Sequence, residues 1–306
     1  MKISTSFLTA ACAMSLTACV IKNDPPSDVD RAIPTADQVK IKLPASTTKS
    51  LGDLSNYYVT TRDLTRDLNG GSAWVLVLIH AIVETPPTSV SGNVYTWGPG
   101  SDALDPADYR LDVTANADGT FDYTLSGQNK TKPDGFKAVI QGHAVPADND
   151  QGNGNFSIDF DASKVVNPID SSDAKGKVVV DYDLAAKHLD MVATSVDANG
   201  NPASFNYAYD QADDGSGNMT FQIDADMGGT SALENVTLRS RWENTGAGRG
   251  DARISGGDLG ADQAIASECW SAQFLTVFYT DNANFQPTQG DVSSCAFADQ
   301  DLPPAK

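Results

Sequence analysis

The sequence predicts a mainly β fold, a single curved antiparallel meander or barrel of about ten strands packed on or around an N-terminal helical segment. Three observations lead to this prediction. From about Gly92 onward, apolar side chains recur at every second position, as in strands with one buried face. Clusters of Asn, Asp and Gly separate these runs, as hairpin turns require. No helical pattern alternates with the strands, which disfavours a parallel sheet.

The first element is a predicted amphipathic helix that begins near Leu51 and ends near Leu68. Apolar and aromatic side chains recur there at steps of three and four residues, while Arg62 and Asp63 belong to the polar side. The sequence Asn69-Gly70-Gly71 is expected to end this helix, because glycine favours helix termini.

The next segment, residues 73–83, is apolar on every side and is followed by Pro86-Pro87. It is too short to span a bilayer. Periodicity alone does not separate a helix from a buried strand here, but the length and the prolines favour a helix. A segment without a polar stripe needs apolar neighbours all round. We therefore expect burial of Trp74, Leu76, Leu78, Ile79 and Ile82.

The strands follow one another with short polar turns. The clearest alternating sets are Tyr109/Leu111/Val113, Phe121/Tyr123/Leu125, Phe156/Ile158/Phe160, Val178/Val180/Tyr182/Leu184, Phe205/Tyr207/Tyr209, Met219/Phe221/Ile223 and Val236/Leu238, with a last strand over 268–279. The turn signals lie at 116–119, 148–154, 199–202 and 214–217, and the glycines of 246–250 are interpreted as another hairpin turn. A long meander protects its edges most simply by curling, which would enclose the N-terminal segment.

Composition limits the classes of function. The 306 residues carry 21 Lys and Arg against 40 Asp and Glu, a formal charge of −19. The mixture of apolar and charged residues is that of a folded chain. This acidic balance argues against nucleic acid as a partner, because phosphate binding requires clustered basic residues. Direct adsorption to anionic lipid is disfavoured for the same reason.

The N-terminus has the form of an export signal over residues 1–18, with Lys2 before a short apolar stretch. The sequence Leu16-Thr17-Ala18-Cys19 resembles the lipobox of bacterial lipoproteins. This resemblance implies cleavage before Cys19, lipidation of its thiol, and membrane attachment through that lipid. Val20 in place of Asp implies the outer membrane. Residues 19–50, rich in proline and small polar residues, are interpreted as a flexible tether. The alternative is an ordinary signal peptide with a chance cysteine.

With Cys12 removed in the signal and Cys19 lipidated, Cys269 and Cys295 remain. Two cysteines in an exported chain predict a disulfide, which requires Cα atoms within about 7 Å. The alternative, a reactive thiol pair, lacks the Cys-x-x-Cys spacing.

No catalytic, metal-binding or cofactor-binding pattern stands out. The three histidines, His80, His143 and His188, are far apart and lack metal-ligand spacing. His80 is interpreted as a hydrogen-bonded core residue. Nucleophile-elbow and phosphate-loop motifs are absent. We therefore nominate no catalytic residue, no metal ligand and no cofactor.

The acidic turns offer a possible calcium site. Oxygen ligands would come from Asp148, Asp150, Asn153 and Asn155, or from Asp210, Asp213 and Asp214. The spacing does not follow the EF-hand pattern, and hairpin turns need the same residue types. Turns are the favoured interpretation.

Beyond the lipobox, the chain resembles uncharacterised lipoproteins of deltaproteobacteria, a resemblance that implies no activity. The stretches that carry it are Thr61-Arg62-Asp63, Asn69-Gly70-Gly71, Pro86-Pro87-Thr88-Ser89, Trp97-Gly98-Pro99 and Glu268-Cys269-Trp270. In architecture alone, the predicted fold is similar to periplasmic lipoprotein-carrier proteins. The favoured function is a non-catalytic structural or binding role at the cell envelope. A lipid or lipopeptide carrier is the alternative, and an enzyme is the third hypothesis.

Overall fold

The computed structural model describes residues 54–147, 151–171, 174–196 and 204–304, together with Val29 and Ile33. The predicted signal peptide and Cys19 lie outside the described residues, as does most of the predicted tether. The two described tether residues, Val29 and Ile33, are buried. The carbonyl of Ile33 accepts a hydrogen bond of 2.8 Å from Nδ1 of His80, so His80 is a hydrogen-bonded, mostly buried residue, as predicted.

Two helices and fifteen strands form the regular structure of the described chain. Helix α1 spans Asn56–Val83 and helix α2 spans Phe160–Val166. The strands are β1 (Ser89–Ser91), β2 (Val94–Gly100), β3 (Ala107–Ala115), β4 (Phe121–Asn129), β5 (Lys137–Val145), β6 (Asn153–Asp159), β7 (Lys177–Asp183), β8 (His188–Thr194), β9 (Phe205–Gln211), β10 (Gly217–Ala225), β11 (Glu234–Trp242), β12 (Gly248–Gly256), β13 (Gln263–Trp270), β14 (Thr276–Asp281) and β15 (Gln289–Gly290).

The strands lie in sequence order within one antiparallel sheet, with β1 and β15 at the two ends of that order. The predicted mainly β meander with an N-terminal helix is therefore confirmed. The strand count exceeds the predicted ten because several strands lack a clean apolar alternation. Strand β12, for example, carries Arg249, Asp251 and Arg253 on one face, and all three are buried.

The chain divides into two compact units. The first contains residues 71–185 and 193–196 with the N-terminal 1–40, and the second contains 41–70, 186–192 and 197–306. Helix α1 passes from the second unit to the first between Gly70 and Gly71. The prediction that Asn69-Gly70-Gly71 ends the helix is therefore wrong. Burial of Asn69 and Ser72 within the helix shows that tertiary packing outweighs glycine's low helix propensity here.

In the first unit, the C-terminal part of α1 buries one face rather than its whole circumference. Val75, Leu76, Ile79, Ile82 and Val83 are buried, which confirms part of the predicted set. Trp74 and Leu78 are only half-buried and Ala81 is exposed, so the expectation of burial on every side is wrong. This part of the helix therefore has one buried face and one partly exposed face. Both faces carry mainly apolar side chains, since apolar residues also occur on protein surfaces. No helix among the described residues combines the length and the apolar character needed to cross a membrane.

The remaining core of the first unit comes from the inward residues of the alternating strands, as predicted. The buried set includes Leu111, Val113, Phe121, Tyr123, Leu125, Phe156, Ile158, Val180 and Tyr182. Phe160 departs from the prediction: it begins α2, because Asp159 caps that helix by accepting a hydrogen bond from the N–H of Ala162 at 2.7 Å.

In the second unit, the N-terminal part of α1 uses polar as well as aromatic contacts. Tyr58 stacks on Phe274 with ring centroids 4.0 Å apart, and Thr61 shares a 2.6 Å hydrogen bond with Ser240. The N–H of Tyr57 donates to buried Glu268 at 3.1 Å. Hydrogen bonds between specific side chains and main-chain groups thus join the helix to the strands. They fix the position of α1 in this unit.

The predicted turn over 246–250 is only partly correct. The turn ends at Ala247, whose carbonyl accepts from the N–H of Glu243, and Gly248 already belongs to β12. A Cβ on Gly248 would lie 2.4 Å from the Trp270 ring, and one on Gly250 would lie 2.6 Å from the Tyr57 ring. These glycines are needed for the close approach of aromatic rings to a strand.

Candidate functional site

Four arginines share one face of two neighbouring strands in the second unit. Arg239 and Arg241 belong to β11, and Arg249 and Arg253 to β12. Residues two apart in a strand point to the same face, and the register pairs Arg241 with Arg249 and Arg239 with Asp251. A chain with a formal charge of −19 therefore concentrates four of its 21 basic residues in one small area.

Residues 297–303, here called the C-terminal strap, lie over this arginine face. Arg249 Nη1 donates to the carbonyls of Ala298 at 2.6 Å and Phe297 at 3.2 Å. Arg241 Nη2 donates to the Asp299 carbonyl at 2.5 Å, and its guanidinium lies 4.9 Å from the centre of the Phe297 ring.

At the far end of the strap, Arg253 Nη1 donates to the Pro303 carbonyl at 2.7 Å. Three of the four arginines therefore bind main-chain oxygens of the strap. These contacts do not depend on which side chains the strap carries, because every residue has a main-chain carbonyl.

Asp251 lies at the centre of the arginine face and is completely buried. Its Oδ1 accepts from Arg249 Nε at 2.8 Å and from Ser267 Oγ at 2.6 Å, and its Oδ2 accepts from the N–H of Asp301 at 3.2 Å. A buried carboxylate is tolerated only when it is paired and hydrogen-bonded in this way. Asp251 therefore ties β12, β13 and the strap into one network.

The disulfide between Cys269 and Cys295 holds the start of the strap, two residues before Phe297. The Cα atoms of the two cysteines are 5.5 Å apart, so the predicted disulfide is confirmed. Cys269 is on β13, directly opposite Arg249 in the register. The covalent link thus fixes the strap beside the arginines that bind its carbonyls.

Some guanidinium nitrogens of this face are buried without a hydrogen-bond acceptor in the described part of the chain. They are Nε of Arg241 and both Nε and Nη2 of Arg253. Arg253 is buried, with only 5% of its surface exposed. Such donors are uncommon in folded proteins, and the arginine face retains hydrogen-bonding capacity beyond the strap.

A cleft of about 750 Å³ opens between the strap and the β9–β10 hairpin, within the second unit. Its basic and aromatic lining comes from Arg239, Arg241, Trp242 and Phe297. Asn218 also lines the cleft, and its Oδ1 accepts a short hydrogen bond from Arg239 Nη1. Asp301 of the strap accepts from Arg239 Nε at 3.1 Å. These contacts hold the arginine in place, so the cleft is preformed.

Three carboxylates complete the lining: Asp210, Asp214 and Glu243. Asp210 accepts a 2.6 Å hydrogen bond from Nδ1 of His188, whose Nε2 lies 3.0 Å from Asp190. Burial acts to lower the pKa of His188, but its hydrogen bonds to Asp210 and Asp190 outweigh burial and raise that pKa. The hydrogen bond from His188 therefore orients the Asp210 carboxylate, and the raised pKa favours the charged form of the histidine.

Asp214 forms part of the β9–β10 turn. Its Oδ1 accepts from the hydroxyl of Ser216 at 2.6 Å and from the Ser216 N–H at 2.9 Å. These two hydrogen bonds lower the pKa of Asp214. The turn itself is the one predicted from the Asp-Gly-Ser-Gly sequence, with Gly215 at a positive φ of 90°.

The candidate calcium ligands of the second set have other partners in the structure. Asp210 pairs with His188, and Asp213 pairs with Lys187 at 3.1 Å. Of the first set, Asp148 and Asp150 lie outside the described residues. Over 54–147, 151–171, 174–196 and 204–304, no three His, Cys, Asp or Glu side chains are grouped to hold a metal ion. His143 forms a separate pair with Asp122, at 2.7 Å.

A smaller cavity of about 220 Å³ lies near the start of α1. Tyr57, Glu268 and Tyr279 are among its lining residues. Glu268 is buried and accepts from Thr276 Oγ1 at 2.5 Å, while burial and the neighbouring Asp281 raise the pKa of Tyr279 to about 12. The hydroxyl of Tyr279 donates to Asp281 at 2.9 Å, so these polar groups have partners within the fold.

The arginine face was not among the features predicted from the sequence. The signal was the spacing of two between Arg239 and Arg241 and of four between Arg249 and Arg253, which puts all four side chains on one face if both segments are strands. The glycines of 246–250 predict a turn, and that prediction leaves Arg249 outside any strand face. The strap has no periodic signal, and only the disulfide indicated that the C-terminal region is held to the sheet.

Comparison with known proteins adds no family to these observations: no protein-family model, no curated protein and no solved structure matches the chain.

Proposed function

We propose that this chain is a membrane-anchored lipoprotein with a non-catalytic binding role at the cell envelope, attached through lipid on Cys19 and binding its ligand in the cleft beside the C-terminal strap. The observation that carries the proposal is the cleft itself. It is an open cleft, and its volume of about 750 Å³ is in the range of small-ligand sites. Its polar groups converge from the β9–β10 and β11–β12 hairpins, and the strap contributes Phe297.

The cleft is also preorganised. Arg239 is held by Asn218 and Asp301, and Arg241 is held by the Asp299 carbonyl and the Phe297 ring. Side chains that are already fixed lose little conformational entropy when a ligand binds. A purely structural role would not require polar groups to be held around an open volume.

Two of the three carboxylates of the cleft, Asp210 and Asp214, favour binding over catalysis. A general acid in glycoside or ester cleavage needs a carboxyl group with a raised pKa. The pKa of Asp214 is lowered instead, and Oδ1 of Asp210 is occupied by His188. Both nitrogens of His188 face carboxylates, so neither is positioned as a base toward the cleft.

The alternative function, a lipid carrier, needs an apolar cavity of several hundred Å³. Neither cavity described above meets this requirement, because arginines and carboxylates line the larger one, and the smaller one, although more apolar, has a volume of only about 220 Å³. The lining of the larger cavity favours a polar ligand.

Anchoring is tested by expressing the full chain in a bacterial host with a clickable fatty-acid label. Wild type and Cys12→Ala, the matched control in the signal peptide, should both carry label and enter the detergent phase. Cys19→Ala should do neither. Acyl label on the Cys19→Ala protein would contradict the proposed anchor.

Binding is tested with purified protein dialysed against a soluble hydrolysate of bacterial envelopes, followed by mass spectrometry of the retained material. We expect retention of a polar compound with unchanged mass, and loss of retention in Arg239→Met. A converted compound would show an enzyme, and a retained lipid would show a carrier. Either result, or no retention by the wild type, overturns the proposed binding role.

A further inference from the structure

We infer that the ligand of the cleft beside the C-terminal strap is a glycan, whose hydroxyl groups donate and accept hydrogen bonds at adjacent positions. This inference rests on the proposed function, because it assumes that the cleft is a binding site. It adds the chemical class of the ligand.

The first step is the arrangement of donors and acceptors. Arg239 and Arg241 present guanidinium donors, and Asn218 presents its amide nitrogen, because its Oδ1 is occupied by Arg239. Asp210 and Glu243 present carboxylate acceptors in the same lining. A ligand that satisfies such a lining must offer both kinds of group over a short distance. A hydroxyl does so with a single oxygen.

The second step is charge. Two arginines and three carboxylates, Asp210, Asp214 and Glu243, line the cleft, so its fixed charges do not sum to a positive value. A compact anion such as phosphate would be attracted by the arginines but repelled by the carboxylates. A small cation would face the opposite conflict. A neutral polar ligand meets neither repulsion, and each of its hydroxyls gains a charge-assisted hydrogen bond, the stronger kind.

The third step is the unpaired donor. Nε of Arg241 is buried without an acceptor in the described chain, although Nη2 of the same guanidinium binds the strap. The Asp301 Oδ2 atom is 3.8 Å from this Nε, which is beyond a hydrogen bond. Arg241 also lines the cleft, so a hydroxyl oxygen bound there would lie beside a guanidinium whose hydrogen-bonding capacity the strap does not fill.

The fourth step is the aromatic surface. Phe297 is half-buried and its ring lies against Arg241, whereas Trp242, which borders the same lining, is buried and has its Nε1 bonded to the Gly215 carbonyl at 3.2 Å. Sugar rings have apolar C–H faces between their hydroxyl edges. The half-buried Phe297 ring beside the polar groups of the cleft matches both parts of such a ring.

The test is isothermal titration calorimetry of the purified protein with its strap intact. The ligands are short oligosaccharides of three series: malto-oligosaccharides, cello-oligosaccharides and chito-oligosaccharides. Inorganic phosphate and poly-glutamate are the anion probes. We expect at least one oligosaccharide series to bind with Kd below about 1 mM and the anions to bind more weakly. Asn218→Ala should weaken oligosaccharide binding about tenfold. Asp224→Asn, on the same face of β10 but outside the cleft, should leave the Kd unchanged.

Each outcome decides the inference. Oligosaccharide binding that Asn218→Ala weakens and Asp224→Asn does not supports it. Stronger binding of phosphate or poly-glutamate makes the cleft an anion site and overturns it, as does the absence of binding by all three series. Oligosaccharide binding that is equal in both variants places the glycan elsewhere and also overturns it. If the envelope hydrolysate still yields a retained polar compound, the proposed binding function stands while the glycan class fails.

Discussion

Arg241 and Arg249 lie directly opposite each other on neighbouring strands, two like charges in a position that normally destabilises a sheet. The strap resolves this conflict. Each guanidinium donates to strap carbonyls, and Asp251 lies 2.8 Å from Arg249 Nε and 3.7 Å from Arg241 Nη2. The strap therefore stabilises the arginine pair, and the hydrogen bonds from the arginine pair hold the strap in place.

Replacement of Arg249 tests this dependence. Arg249→Met should lower the free energy of unfolding by about 3–5 kcal/mol, because it leaves the buried Asp251 carboxylate without its closest charge partner. The double variant Arg249→Met/Asp251→Leu should lose less than the single variant. Urea unfolding followed by tryptophan fluorescence measures both. A single variant as stable as the wild type would show that the arginine face does not hold this unit together.

Removal of the disulfide should release the strap. In the chain-entropy model, a crosslink across a separation of 26 residues stabilises the fold by about 3 kcal/mol, so Cys269→Ala/Cys295→Ala should lose about that amount. Limited proteolysis should then cut within 297–303 sooner than in the oxidised wild type. Reduced wild type is the matched control and should behave like the double variant. Equal cutting rates for oxidised and reduced protein would contradict the role of the disulfide in holding the strap.

Replacement by alanine should change the stability of the protein in opposite directions at two glycines. Gly70→Ala lies on the exposed side of α1 with no atom within 4 Å of the added Cβ, and should stabilise the protein by about 0.5–1 kcal/mol. Gly248→Ala places the Cβ 2.4 Å from the Trp270 ring and 2.5 Å from the Arg241 carbonyl, and should destabilise by about 1–3 kcal/mol. Thermal unfolding of both variants checks the pair. Destabilisation by Gly70→Ala would show that α1 is not a continuous helix there.

His188 should make stability depend on pH. Its pKa is raised in the folded state above the ordinary value of 6.5, so its contribution is fully present below pH 6.5 and is lost as pH rises through the folded pKa. The ring is partly exposed, and the effect should stay below about 1 kcal/mol. His188→Gln should remove this dependence. An NMR titration of the ring should show a pKa above 6.5 that falls in Asp190→Asn; a pKa at or below 6.5 in the wild type contradicts the prediction.

The sheet was predictable because most strands alternate. Residues such as Phe121, Tyr123 and Leu125 form a period of two that no other element produces, and the Asn, Asp and Gly turns between strands have direct conformational reasons. The continuity of α1 was not predictable, because Asn69-Gly70-Gly71 is a local stop signal that burial of Asn69 and Ser72 overrides.

The candidate site was less predictable than the fold. The disulfide followed from counting cysteines, but the arginine face needs four residues from two strands whose pairing is not visible before the hairpin is placed. The strap binds through main-chain carbonyls, and these leave no mark in the sequence. Sequence patterns therefore gave the sheet and its covalent link, whereas the cleft depends on long-range register.

The most direct test of the account is an NMR map of the ligand site. Backbone amide shifts of the isotope-labelled chain would be followed during titration with the oligosaccharide series that binds best in calorimetry. The account predicts saturable shifts confined to residues around 210–218 and 239–244 and to Phe297, with a smaller response in Asn218→Ala. Shifts that cluster on another face of the chain, or none at the highest oligosaccharide concentration, would contradict it.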